Sequence, residues 1–199
     1  MKKKVLIVAG GTGGHIFPAL AFGRWVLDHG KAGNVVYISG SRPLEAEIYA
    51  SHGVEPYRLA LAGSPLGGTL WRNLKRCAEL FLSFMEARAF ILKERPDVCF
   101  LFGSYVSATP LLWCKWLGVP VIAHEQNACA GKMTKLASRM GVPVASGWNE
   151  CRGVGNAFHA GVPVRSFKKL SRTITSMKEG IWMMISRRVY SVILDGRSN

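Results

Sequence analysis

The run Val5-Leu6-Ile7-Val8-Ala9 passes without a spacer into Gly10-Gly11-Thr12-Gly13-Gly14-His15. An apolar, β-branched run bounded by glycines reads as a strand buried on both faces of a parallel sheet. Beyond it, Ile16, Ala19, Leu20, Val26 and Leu27 recur at helical spacing. The glycines therefore occupy a tight strand-to-helix turn, where the main chain can approach a ligand closely. The helix start behind them offers unpaired N–H groups and partial positive charge, which suit a phosphate or diphosphate. His15 lies at the mouth of this turn, where an imidazole can take a proton. Its plainer reading is an ordinary helix N-terminal residue, and the residues alone leave both open. The dinucleotide pattern G-x-G-x-x-G fits poorly, because Ile16 stands where its last glycine belongs. The phosphate-loop pattern G-x-x-x-x-G-K-S/T is absent.

The strand–helix alternation continues. Val35–Ser39 is expected as a second strand, followed by a helix opened by Pro43 and ending near Gly53. Pro56–Ala60 reads as a third strand, Gly63–Gly68 as a flexible loop, and Leu70–Lys93 as a long helix. Pro96–Phe102 is the expected fourth strand, delivering Gly103-Ser104-Tyr105-Val106-Ser107 before a helix over Ala108–Leu117. Val119–Ala123 is the fifth, with His124-Glu125-Gln126-Asn127 at its end, then a helix ending near Gly141 and a short strand at Val142–Ala145. Such alternation implies βαβ units and an α/β, Rossmann-like parallel sheet. These sheets bind ligands outside the carboxyl ends of their strands, where all three polar or glycine-rich segments fall. Four polar side chains at a strand end are costly to bury unless paired. For His124 and Glu125 a structural pair holding the loop stands beside the functional reading.

The chain of 199 residues is long enough for one sizeable domain, or one and a fragment. Its formal charge of +14 suggests an anionic partner: nucleic acid, anionic lipid or a phosphorylated substrate. No zinc finger, RNP motif or basic heptad region supports nucleic acid. The long helix carries Trp71, Leu74, Leu80, Phe81, Phe84 and Phe90 among basic Arg72, Lys75, Arg76, Arg88 and Lys93. Apolar residues at helical spacing usually face a core, and that is the first reading for most of them. The same mixture also suits a membrane interface, which Trp113 and Trp116 of the next helix can join. No run approaches the roughly 18 apolar residues of a membrane span. The apolar run after Lys2-Lys3-Lys4 is too short for a signal peptide, which favours a cytoplasmic protein. Five scattered cysteines without a C-x-x-C pair read as reduced thiols, mostly buried, rather than disulfides or a zinc site. No metal cluster or cofactor is expected.

The string GGTGGH followed by Ile16-Phe17-Pro18-Ala19-Leu20 resembles the opening of the peptidoglycan N-acetylglucosaminyltransferases that form lipid II. Gly103–Ser107 resembles the second glycine loop of that family, and His124–Asn127 its HEQN segment, in the same order and spacing. Gly161-Val162-Pro163-Val164-Arg165 resembles its GNPVR, with Val162 replacing the asparagine. The resemblance covers roughly residues 4–165. Departures are Ser104, where the family prefers glycine, and the 63–68 loop, which lacks the family's arginine and lysine.

The resemblance implies the N-terminal half of a GT-B fold, with the donor bound by a second α/β domain across a cleft. Residues 1–165 are then the acceptor-side domain, and the basic stretch 166–199 is a remnant of the linker and of the start of the donor domain. It implies transfer of N-acetylglucosamine from UDP-N-acetylglucosamine to an undecaprenyl-diphosphate-linked muramoyl pentapeptide, with inversion. His15 is implied as the base. Thr12, Gly13, Gly14, Asn127 and Arg165 match donor-contacting positions. Gly10, Gly11, Gly103, Ser104, Tyr105 and Ser107 are the expected cradle of the acceptor diphosphate, with His124, Glu125 and Gln126 in support. The implied place is the inner face of the plasma membrane, on an anionic surface, with a separate donor-binding chain as a conceivable partner. Two alternatives remain. One is a catalytically silent lipid-diphosphate or membrane-binding module, whether truncated or one chain of a split enzyme. The other is a nucleotide-cofactor oxidoreductase, which calls for an acid near the end of the second strand. Ser39-Gly40-Ser41-Arg42 supplies none.

Overall fold

The computed structural model describes residues 3–62 and 70–163, with side chains omitted for 70–76. Arg165, the stretch 166–199, the 63–68 loop and the side chains of Trp71, Arg72, Leu74, Lys75 and Arg76 lie outside the described residues.

Among the described residues seven parallel strands form one sheet in the order β3-β2-β1-β4-β5-β6-β7. They are β1 (Lys4–Val8), β2 (Asn34–Ser39), β3 (Tyr57–Arg58), β4 (Val98–Leu101), β5 (Val121–Glu125), β6 (Val144–Ser146) and β7 (Ala157–His159). Among the described residues the α-helices are α1 (Gly13–Asp28), α2 (Pro43–Ala50), α3 (Leu70–Glu94), α4 (Ala108–Trp116), which a 3-10 turn at Tyr105–Ser107 precedes, and α5 (Lys132–Arg139). The chain moves outward from β1 to β3, then returns to the other side of β1 at β4. That reversal opens a crevice at the carboxyl ends of β1 and β4.

Both sheet faces are covered, which is why β4 and all but the first residue of β1 are apolar. On one face Val5, Ile7, Phe100 and Ile122 meet Ile16, Leu20, Phe22 and Val26 of α1. On the other, Leu6, Val8, Leu101 and Ala123 meet Ala87 and Ile91 of α3 and Leu111 and Cys114 of α4. The alternation along β1 is the period of two that a pleated strand imposes. The Tyr37 hydroxyl sits directly where a Cβ on Gly23 would lie, so α1 packs closely on β2 only through that glycine. Tyr49 of α2 is fully buried and donates to the Ala9 carbonyl at 3.0 Å, tying α2 to the end of β1.

Two expectations are corrected and one element is added. The third strand is two residues long, not five. His124 and Glu125 are the last two residues of β5 rather than its loop, because they pair with Ala145 and Ser146 of β6. An edge strand, β7, adds to β6, with no apolar run in the sequence to announce it. All five cysteines are free, with Cys99, Cys114 and Cys151 buried and Cys77 and Cys129 exposed.

Candidate functional site

The first glycine turn leaves β1 through Gly11, whose φ of 83° lies in the left-handed region. Thr12 is extended, and no side chain caps α1 behind it. The His15 and Ile16 N–H groups close onto the Thr12 carbonyl, leaving those of Gly13 and Gly14 to face an anion. Thr12 and Gly14 are exposed, and His15 is half-buried.

The second loop leaves β4 beside it. Gly103 has φ 84°, and an added Cβ would stand 3.2 Å from the His15 ring. Ser104 follows with φ 72° and ψ 160°, a region that glycine occupies almost alone. So serine adopts the conformation for which the resembled family prefers glycine. Its hydroxyl is buried, has no partner among the described residues and points at Gly11. Ser107 is buried and donates its hydroxyl to the Gly103 carbonyl at 2.6 Å.

One residue that sequence reasoning missed joins the two loops. Glu45, fully buried on α2, accepts the Gly11 N–H at 2.7 Å and the Tyr105 hydroxyl at 2.8 Å, both on Oε1. Its other oxygen has no partner among the described residues. Burial, then the hydrogen bond and negative charge of Glu45, push the Tyr105 phenol well up, against the opposing Arg42 guanidinium. Tyr105 is thus committed to holding the loops together. The only sequence signal for Glu45 was an acid in the first turn of a helix opened by proline.

The end of β5 supplies the third segment. Glu125 is buried and acts as a hub, accepting the backbone N–H and side-chain amide of Asn127 on one oxygen. Its other oxygen takes the Gly131 N–H and the Thr134 hydroxyl. Burial alone would raise this carboxyl, but the Thr134, Gly131 and Asn127 hydrogen bonds outweigh it and leave it below its ordinary value. Asn127 is exposed with its backbone N–H and one amide hydrogen fixed on Glu125, which leaves its side-chain oxygen and second amide hydrogen to present. His124 bonds not to Glu125 but to the Gly161 carbonyl at 2.9 Å. Burial brings its pKa down to about 4, against the Gly161 bond and the Glu125 charge. Gln126 links the segments, its amide oxygen 3.2 Å from Nδ1 of His15 and its nitrogen 3.2 Å from Nδ1 of His124. Val162 packs on Gly147, leaving no room for a Cβ there.

A parallel sheet with glycine loops, an uncapped helix start and a histidine at its reversal point is a Rossmann-like domain, with the fold of the N-terminal half of a GT-B glycosyltransferase. A solved structure of MurG from Acinetobacter baumannii superposes on 85% of this chain and 50% of its own, with a TM-score of 0.68 at 24% identity. The Streptomyces glycosyltransferase SsfS6 is more distant, with a TM-score of 0.50 at 14% identity over 84% of this chain and 56% of its own. Residues 5–145 match the glycosyltransferase family 28 N-terminal domain, and the chain belongs to that family. A relative from Prochlorococcus marinus (strain NATL2A) is 31% identical over 201 aligned positions, 97% of this chain and 53% of its own. It is named UDP-N-acetylglucosamine–N-acetylmuramyl-(pentapeptide) pyrophosphoryl-undecaprenol N-acetylglucosamine transferase. An Actinobacillus pleuropneumoniae relative of the same name is 34% identical over 78% of this chain and 45% of its own. The chain thus spans about half the length of the relatives it matches, and the Prochlorococcus alignment runs on past residue 165.

Proposed function

We propose that this chain is the acceptor-side part of a transferase that moves N-acetylglucosamine from UDP to a lipid-diphosphate-linked muramoyl pentapeptide. Residues 1–165 form that domain, and 166–199 belong to the linker and the start of the donor side. One observation carries the reading. The carboxyl ends of β1, β4 and β5 converge on His15, which contacts Gly103 and hydrogen-bonds Gln126 while standing at the open start of α1. Family membership and the relatives' names support the substrate classes.

In the reaction His15 takes the proton of the acceptor's C4 hydroxyl as its oxygen attacks the anomeric carbon of the donor. The bond from that carbon to UDP breaks, and the configuration inverts. The acceptor diphosphate rests on the loops at Gly10–Gly11 and Gly103–Ser107, through main-chain N–H groups other than those of Gly11 and Ser107, which are engaged like the Tyr105 and Ser107 hydroxyls. Thr12, Gly13, Gly14, Asn127 and Arg165 meet the donor. Aligned dipoles and cations offset the diphosphate charge.

The chain docks on the inner membrane face through α3 and α4. Phe81 is 65% and Trp116 75% exposed, with Leu82, Met85 and Leu112 also open. Exposed Arg88 lies over the Trp113 ring, which stacks on Trp116. Such a face combines apolar insertion with attraction to anionic lipid.

The test is transfer of labelled N-acetylglucosamine to a short-chain lipid acceptor, with the donor-binding half of a family member added separately. His15→Ala is expected to lower the rate by about 10²–10⁴-fold. Transfer by His15→Ala at the wild-type rate would refute the role of His15. Val162, apolar where the resembled family has an amide, favours the second reading of a silent lipid-diphosphate binder. Vesicle binding by the wild-type chain without transfer, with or without the added donor-binding half, would select it.

A further inference from the structure

The bonding partners around the site determine which nitrogen of His15 carries its proton, beginning with two main-chain carbonyls. The Gln126 side-chain nitrogen lies 3.3 Å from the Phe102 carbonyl and 3.4 Å from the His124 carbonyl. Carbonyls only accept, so the NH₂ group must face them and the amide cannot be turned over. Independently, Nε2 of His124 faces the Gly161 carbonyl at 2.9 Å, so in the neutral ring that nitrogen holds the hydrogen. Its Nδ1 then presents a lone pair to the Gln126 NH₂ at 3.2 Å, consistent with the amide orientation. Burial keeps this ring neutral, with a pKa of about 4. The Gln126 oxygen is left facing Nδ1 of His15 at 3.2 Å. An amide oxygen only accepts, so Nδ1 of His15 must donate.

We infer that a relay running from the Gly161 carbonyl through His124 and Gln126 fixes neutral His15 as its Nδ1–H tautomer, with the lone pair on Nε2. Gln126 and His124 are positioning residues: they touch no reacting atom, and they decide which atom of His15 can accept a proton. Among the described residues Nε2 of His15 has no hydrogen-bond partner. The inference takes its catalytic meaning from the reading of His15 as base, but its geometry stands without that reading.

The test is a long-range ¹H–¹⁵N correlation spectrum of the full chain labelled at histidine, at a pH where the imidazoles are neutral. His15→Ala and His124→Asn spectra assign the two rings. The expected pattern is a protonated Nδ1 and bare Nε2 for His15, and the reverse for His124. Gln126→Leu, which removes the acceptor, is expected to abolish the Nδ1–H preference of His15. In the reconstituted transfer assay it is expected to lower kcat by about ten- to hundredfold, with KM changed much less. An Nε2–H His15 in the wild type, or a tautomer unchanged in Gln126→Leu, overturns the relay. The wild-type spectrum decides alone if the variant does not fold. If the expected tautomers are found while His15→Ala transfers normally, the relay stands and the catalytic reading falls.

Discussion

Replacing Ser104 by glycine is expected to stabilise this protein. Its φ of 72° with ψ of 160° places a side chain in a region that costs an L-residue about 1–3 kcal/mol. Its hydroxyl is buried without a partner among the described residues, which costs about 1–3 kcal/mol more. Against these gains, glycine adds unfolded-chain entropy worth about 0.4–1 kcal/mol. The net expectation is about 3 kcal/mol, or a rise in Tm of about 6–12 °C for a chain of this size. Urea and thermal unfolding followed by circular dichroism measure it. Ser104→Ala separates the contributions, since it removes the hydroxyl and keeps the Cβ. It is expected to gain about 1 kcal/mol, less than glycine. An alanine variant as stable as the glycine variant, or a glycine variant no more stable than wild type, would refute the strain argument.

Gly23→Ala should destabilise by about 1–3 kcal/mol despite the better helix propensity of alanine, because its methyl group meets the Tyr37 hydroxyl; Tyr37→Phe should restore part of the loss in a double-mutant cycle. Stability should also fall with acid. His124 is held down from its ordinary 6.5 to about 4, so the unfolded chain binds the proton first. That stabilisation is complete above about 6.5 and disappears as pH falls to about 4, a change of about 3 kcal/mol. The urea midpoint followed across this range checks it, and a flat profile counts against the buried neutral ring. Phe81→Ala and Trp116→Ala should each weaken association with anionic vesicles by about 5–30-fold, measured by co-sedimentation. Unchanged binding in both would exclude this face as the docking surface.

The parts of the fold legible in the sequence were those where one physical signal acts alone. Val5–Ala9 could be read because a strand covered on both faces is apolar throughout, and the glycines mark its end. The end of β5 was misjudged by two residues because His124 and Glu125 are polar yet buried. Their burial depends on partners at Gly131, Thr134 and Gly161, which no local pattern reveals. β7 exists only as an addition to β6. Trp113 and Trp116 lie one turn apart on α4, yet the first is 7% and the second 75% exposed. Only the packing of α3 distinguishes them. Glu45 was invisible for the opposite reason: an acid near a helix start is ordinarily solvated, and this one is fully buried between two loops.

The Gly161 carbonyl stands where the described chain leaves the sheet, with Ala160 and Gly161 both donating to the Ser146 carbonyl at 2.8 and 3.1 Å. It is also the outermost fixed point behind His124. A segment that turns residue 161 by one hydrogen-bond length acts on His15 through two side chains and no backbone of its own. The far end of the chain of bonds to His15 is thus anchored on the main chain after β7 rather than within the sheet.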